Sequence, residues 1–179
     1  MNHPIPISSR IKDSHCSYCG SKFAEQKIFP RRCWTCHNDT WANPLPVVVA
    51  LISANTPDNG WKRGVIIQRR NIEPGKGKMA LPGGYIDLGE TWQEACAREV
   101  REEIGLITNP MHYSLFGVNM GNDNNTILIF AEYNTTVSWE SVNSLFVANE
   151  EVSLVDLAYT PQELAFPSHT NNLTNYLNS

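Results

Sequence analysis

At 179 residues the chain has room for one ordinary domain and a small appendage, and two full-sized domains do not fit. Its 41% apolar and 18% charged residues match a soluble globular protein, and a formal net charge of -4 argues against non-specific nucleic-acid binding, which needs a basic surface. No apolar run reaches transmembrane length, and the segment from Met1 to Lys12 has no apolar signal-peptide core, so a cytoplasmic location is expected.

From about residue 13 to residue 40 the chain is rich in Cys, His, Arg and polar residues, with too few apolar side chains for a core. A segment of this size needs a staple. Cys16-x2-Cys19 and Cys33-x2-Cys36 are separated by thirteen residues, the spacing of a zinc ribbon, and each pair flanks a tight knuckle. Two pairs at this distance favour Zn2+ over a redox role. A closed set of four thiolates leaves no open coordination position, which makes the expected zinc structural. His15 and His37 adjoin the ligands and read as surface residues, and Lys27, Arg31 and Arg32 are too few for a nucleic-acid platform. The ribbon is assigned to residues 1–43 and a second domain to 44–179.

After Asn43-Pro44-Leu45-Pro46 the texture changes. Residues 47–52 and 64–68 read as strands joined by the turn residues Pro57-Asp58-Asn59-Gly60. A Gly/Pro-rich loop runs from Glu73 to Gly84 and leads into a helix. Thr91 and Glu94 have capping-box spacing, and Gly105 is placed to end the helix. Residues 114–118, 126–133 and 152–155 read as further strands, 161–166 as a turn, and 172–177 as a last helix. The irregular alternation points to a mixed sheet packed between helices, an α/β (α+β) fold.

On the predicted helix Cys96, Val100 and Ile104 form an apolar stripe, which makes Cys96 a buried small hydrophobe. Glu99, Glu102 and Glu103 occupy the adjoining arc. Like charges at these spacings weaken an isolated helix by about 0.2–0.5 kcal/mol per pair. A hard divalent cation, Mg2+ or Mn2+, offsets that repulsion, since such ions take oxygen ligands. Gly83-Gly84 lets the backbone turn sharply next to the same place. Taken alone, the three glutamates would read as a solvated surface helix.

The longer pattern favours the cation. Gly84 to Leu106 resembles the signature of the Nudix hydrolases, Gly-x5-Glu-x7-Arg-Glu-U-x-Glu-Glu-x-Gly-U with U a bulky aliphatic, and every specified position matches. The loop into it is also similar, although Met79 stands where many relatives carry Trp and Asp87 where many carry Glu. The resemblance implies an α/β/α sandwich with a mixed sheet and metal ligation by Glu99 and Glu103, assisted by Glu102 and the Gly83 carbonyl. It implies that Arg98 orients a glutamate of the signature, with Glu90 its partner. The general base is either a glutamate of the signature or one on a later loop, Glu150 or Glu151. The implied reaction is hydrolysis of a pyrophosphate bond in a nucleoside diphosphate linked to another group.

A ribbon directly before such a domain resembles both NADH pyrophosphatases and hydrolases associated with ADP-ribose and flavin dinucleotide. The Ser-Gln-Pro-Trp motif of the NADH group is replaced here by Tyr113-Ser114-Leu115-Phe116-Gly117, whereas Glu163-Leu164-Ala165-Phe166-Pro167-Ser168 looks like the second group. ADP-ribose or FAD is therefore expected ahead of NADH. Arg69 and Lys78, with Arg70 and Lys76, are candidate phosphate contacts, and Phe116, Trp61 and Phe166 candidate stacking surfaces. The alternative is a nucleotide-sensing module whose ribbon contacts nucleic acid or a protein. Family relatives are often dimers, which implies a homodimer only loosely.

Overall fold

The computed structural model describes residues 12–24, 29–57, 60, 62–122 and 124–179; Lys27, Trp61 and the turn residues Asp58 and Asn59 lie outside them. The chain divides into two compact units, Met1–Asn43 and Pro44–Ser179.

The first unit has a two-stranded antiparallel ribbon, β1 (Arg31–Arg32) and β2 (Asp39–Thr40), and the most buried apolar residues among those described there are Cys16 and Cys33. The Sγ atoms of Cys16, Cys19, Cys33 and Cys36 all lie within 4.8 Å of one another, with Cys16 to Cys36 and Cys19 to Cys33 at 3.6 Å. Backbone N–H groups of Cys19 and Tyr18 draw the Cys16 thiol down to about 6. Cys36 is pushed up to about 11 by burial and its three thiol neighbours, although a backbone hydrogen bond from Asn38 pulls the other way. Four thiolates this close repel, and a tetrahedral thiophilic cation is the species that lets all four ionise, so the donor set fits zinc.

The second unit is built on one mixed sheet. Its strands are β3 (Leu45–Asn55), β4 (Arg63–Arg70), β5 (Met79–Ala80), β6 (Tyr113–Met120), β7 (Thr126–Ser138) and β8 (Val152–Ala158). They lie in the order β5-β4-β3-β7-β6, with β8 on the other edge of β4; β3 and β7 are parallel and the remaining pairs antiparallel. Alternation along β3 divides the core. Val48, Ala50, Ile52 and Ala54 pack with α1 (Trp92–Ile104) and with Val142 of α2 (Trp139–Leu145), whereas Val49 and Leu51 pack with Leu173 and Tyr176 of α3 (Pro167–Leu177). The result is the expected layered sandwich, helices on both faces of a mixed sheet. Among the described residues no helix is long and apolar enough to cross a membrane.

Strands β3 and β4 pair only over Ser53, Ala54 and Asn55 and then part. Residues 81–84 form a strap that fills the gap, its Pro82 and Gly84 carbonyls accepting from Ala50 and Val48 N–H at 2.8 and 2.9 Å. Gly83 has φ 153°, and a Cβ there would lie 2.1 Å from the Val48 carbonyl oxygen, so no side chain fits where the strap presses on β3.

The capping box of α1 forms as its spacing requires. Thr91 Oγ1 accepts from Glu94 N–H at 3.3 Å, the Glu94 carboxylate accepts from Thr91 N–H at 2.7 Å, and Gly105 closes the helix at φ 75°. Strand β5, two residues long, and α2, seven residues whose Trp139 and Val142, with the capping Phe146, face the core at helical spacing, have no counterpart in the sequence reading. Helix α3 begins at Pro167, five residues before the expected 172, because proline is well suited to a first helical position.

Candidate active site

Helix α1 is anchored by Cys96, Val100 and Ile104 in the core, which sets Glu99 and Glu103 at the edge of the buried stripe, 9% and 5% exposed. Glu102 stays half-exposed. Arg98 ties this set together. Its Nη2 and Nε donate to the two oxygens of Glu90 at 2.7 and 3.2 Å, and its Nη1 donates to Glu99 at 2.6 Å and Glu102 at 3.2 Å. Nη2 also donates to the Tyr85 carbonyl at 2.8 Å, which pins the chain beyond the strap to the helix. The hydrogen bonds from Arg98 hold the Glu90 carboxyl below its ordinary range, and its partners hold the guanidinium protonated more firmly than usual.

The strap closes the other side. Gly83 N–H donates to Glu103 Oε2 at 2.7 Å, and a Cβ on Gly84 would lie 2.5 Å from the Glu99 carboxyl carbon. The chain and the two carboxylates are therefore in contact with no room for a side chain. Burial pushes the Glu103 carboxyl up to about 8, against hydrogen bonds from Gly83 N–H and from Gln68, and the charges of Glu99 and Glu151 push the same way. Burial also raises Glu99, despite the pull of Arg98.

A cavity of about 1020 Å³ opens over these groups. One part of its wall is acidic, with Glu99, Glu102, Glu103, Glu150 and Glu151; another is apolar, with Val47, Val49, Leu81, Leu128 and Phe166. Arg70, Arg98 and His169 also line it. Glu90 stands outside the wall and acts on it through Arg98. Arg69, Lys76 and Lys78 are exposed away from the cavity lining, and Phe116 stacks edge-on against Tyr176, ring centres 5.6 Å apart. Arg70 and Phe166 are the members of those groups that the structure brings to the cavity.

Two cavity residues, Asn149 and His169, and the buried Gln68 beside Glu103 have no functional reading in the sequence. Asn149 Nδ2 donates to the Glu102 and Glu103 carbonyls at 3.4 and 3.2 Å, while its Oδ1 accepts from Glu151 and Val152 N–H at 2.9 and 2.8 Å. It thereby fastens the Glu151 loop to the end of α1. Gln68, the first of the three polar residues that end β4, is 1% exposed, hydrogen-bonds Glu103, and keeps its Oε1 without a partner among the described residues. Nothing in the sequence marks His169.

Several buried carboxylates that raise one another's affinity for protons need a compensating positive charge. Their hard oxygen donors, the close strap and the water-accessible cavity fit a divalent cation of the Mg2+ or Mn2+ kind.

Comparison with known proteins bears on the same region. The sequence profile of the NUDIX domain matches residues 44–176. An ADP-ribose pyrophosphatase of Methanocaldococcus jannaschii is 49% identical over 59 residues, covering 33% of each chain. An NAD-capped RNA hydrolase, NudC, of Salmonella typhi is 25% identical over 99 residues, covering 55% of this chain and 35% of the relative. The aligned segments thus span about a third of these relatives' length. A crystal structure of a NUDIX hydrolase from Nitrosomonas europaea superposes with a TM-score of 0.58 and 22% identity, covering 92% of this chain and 90% of that one, and shows the shared fold.

Proposed function

The chain belongs to the NUDIX family, and from that premise we propose that it hydrolyses the pyrophosphate bond of a nucleoside diphosphate linked to a second group, ADP-ribose or FAD before NADH. The observation that carries this reading is the juxtaposition of buried Glu99 and Glu103 with Glu151 around one cavity that also has an apolar wall. Residues 1–43 are proposed as a structural zinc ribbon and 44–179 as the catalytic domain.

Glu99 and Glu103, with Glu102 and the Gly83 carbonyl, are assigned to hold the divalent cation. A cation held there neutralises charge on the phosphate oxygens and makes a water more acidic. Arg98 keeps the glutamates in a fixed array, so little reorganisation is needed when the substrate arrives. Glu151 is assigned as the general base: Asn149 fixes its backbone against α1, and its charge is felt by both Glu99 and Glu103. It takes a proton from the attacking water as the new P–O bond forms and the bridging P–O bond breaks. The bridging oxygen leaves with the other phosphate, giving a mononucleotide and a phosphorylated product. A cavity of about 1020 Å³ accommodates a dinucleotide-sized ligand.

Product analysis with Mg2+ on ADP-ribose, FAD, NADH and the common nucleoside triphosphates tests the assignment. The expected result is AMP from ADP-ribose or FAD at a kcat/KM at least about tenfold above that for NADH. Tight binding of these ligands without any cleavage, metal being bound, would replace the hydrolase by a nucleotide sensor.

A further inference from the structure

The apolar wall of the cavity belongs to the core cluster that α3 covers, and the first turn of that helix contributes Phe166, Ser168 and His169 to it. His169 is 7% exposed, and its ring lies against Phe130 and Phe166 at 5.7 and 5.0 Å between centres. Its Nδ1 accepts the backbone N–H of Leu81 at 3.3 Å. An atom that accepts from an N–H carries no proton itself, so the neutral ring bears its hydrogen on Nε2. Among the described residues nothing accepts from that Nε2–H, and the residue lines the cavity.

Burial, reinforced by the charge of Arg70, draws the imidazole down to about 3, so it stays neutral over the whole working range. Nε2–H is thus a fixed, uncharged donor set in apolar walls. A phosphate would call for a charged partner, whereas a nucleobase edge offers neutral ring acceptors and a flat face. The Phe166 ring supplies a matching face, backed by the Arg70 guanidinium 5.2 Å from its centre.

We propose that His169 is a specificity-determining residue, its Nε2–H donating to a ring acceptor of the substrate's nucleobase while Phe166 packs against that base. The proposal rests on the nucleotide-hydrolase reading above. Leu81 and Gly83 belong to one strap, and because Pro82 has no N–H, the next N–H after the one that holds His169 is the one that holds Glu103.

The test is His169→Asn, whose side-chain oxygen takes the place of Nδ1 and still accepts from Leu81, with no atom where Nε2 was. Wild type and variant are assayed with ADP-ribose and with analogues in which each adenine ring nitrogen in turn is replaced by C–H. For wild type, one analogue is expected to raise KM roughly tenfold with kcat within about twofold. The variant is expected to show that same rise on ADP-ribose itself and no further penalty with that analogue. Equal responses of variant and wild type to every analogue, or a loss confined to kcat, overturn the proposal. A wild type that cleaves none of these compounds refutes the hydrolase reading instead. The subsite is then judged by nitrogen NMR of the wild-type imidazole titrated with AMP: a shift of the His169 Nε2–H signal supports it, and an unmoved signal overturns it.

Discussion

Replacing Glu103 by Gln is expected to lower kcat by roughly three orders of magnitude, about 4 kcal/mol of transition-state stabilisation, while the fold survives. Glutamine has the same size and can still accept the Gly83 N–H that now reaches Oε2 at 2.7 Å. What disappears is the charge that the proposed cation requires. Stability should respond in the opposite direction in protein kept free of divalent ions. The folded-state Glu103 carboxyl is raised from 4.5 to about 8, so its favourable contribution is complete below pH 4.5 and is lost as pH rises through about 8. The variant lacks that titration. Its Tm should draw ahead of wild type across this window, by on the order of a few kcal/mol of stability, and then run parallel at higher pH. Steady-state assays with Mg2+ and thermal melts from pH 5 to pH 9 measure the two effects; near-wild-type turnover would remove Glu103 from the ligand set.

Extraction of the proposed zinc should undo the first unit and spare the second. Among the described residues of Met1–Asn43, Cys16 and Cys33 are the most buried apolar ones, and no aliphatic cluster there stands in for a core. A structural zinc in such a setting contributes roughly 10–16 kcal/mol of apparent binding free energy, more than a unit of this size can replace by packing. Treatment of the 179-residue chain with a thiol-competing chelator is expected to release one zinc per chain and abolish the ordered signals of Trp34 and Trp41. The amide signals of the sheet in Pro44–Ser179 should stay in place. Elemental analysis finding no zinc in intact protein would reject the ribbon's metal.

The parts of this molecule legible from sequence were those whose chemistry is local. Thr91, Glu94 and Gly105 act within a helical turn of themselves, so the bounds of α1 follow from spacing alone. The glutamate array on that helix is equally local, and Arg98 reaches Glu102 one turn away. Pairing is not local. Strand β5 is two residues that exist because Gln68 and Arg69 lie opposite, and nothing in Met79-Ala80 announces it. Arg69 and Arg70 are adjacent in sequence, but neighbouring strand residues point to opposite faces of the sheet, and of the two Arg70 lines the cavity. A bulge beside Leu115 and Gly117 likewise leaves Phe116 packed on Tyr176. His169 has meaning only because a strap 88 positions earlier in the chain meets it, a distance over which periodicity carries no information.

That strap has a metric consequence. Leu81 and Gly83 are two positions apart across a bend at Pro82, at most about 7 Å of backbone, and give their N–H groups to His169 and Glu103 from helices on opposite faces of the sheet. The separation of these two anchor points is therefore set by peptide geometry and not by side-chain rotamers. The strap works as a ruler. A ligand whose base stands too near or too far from its scissile linkage can engage one mark or the other, and only the right length engages both.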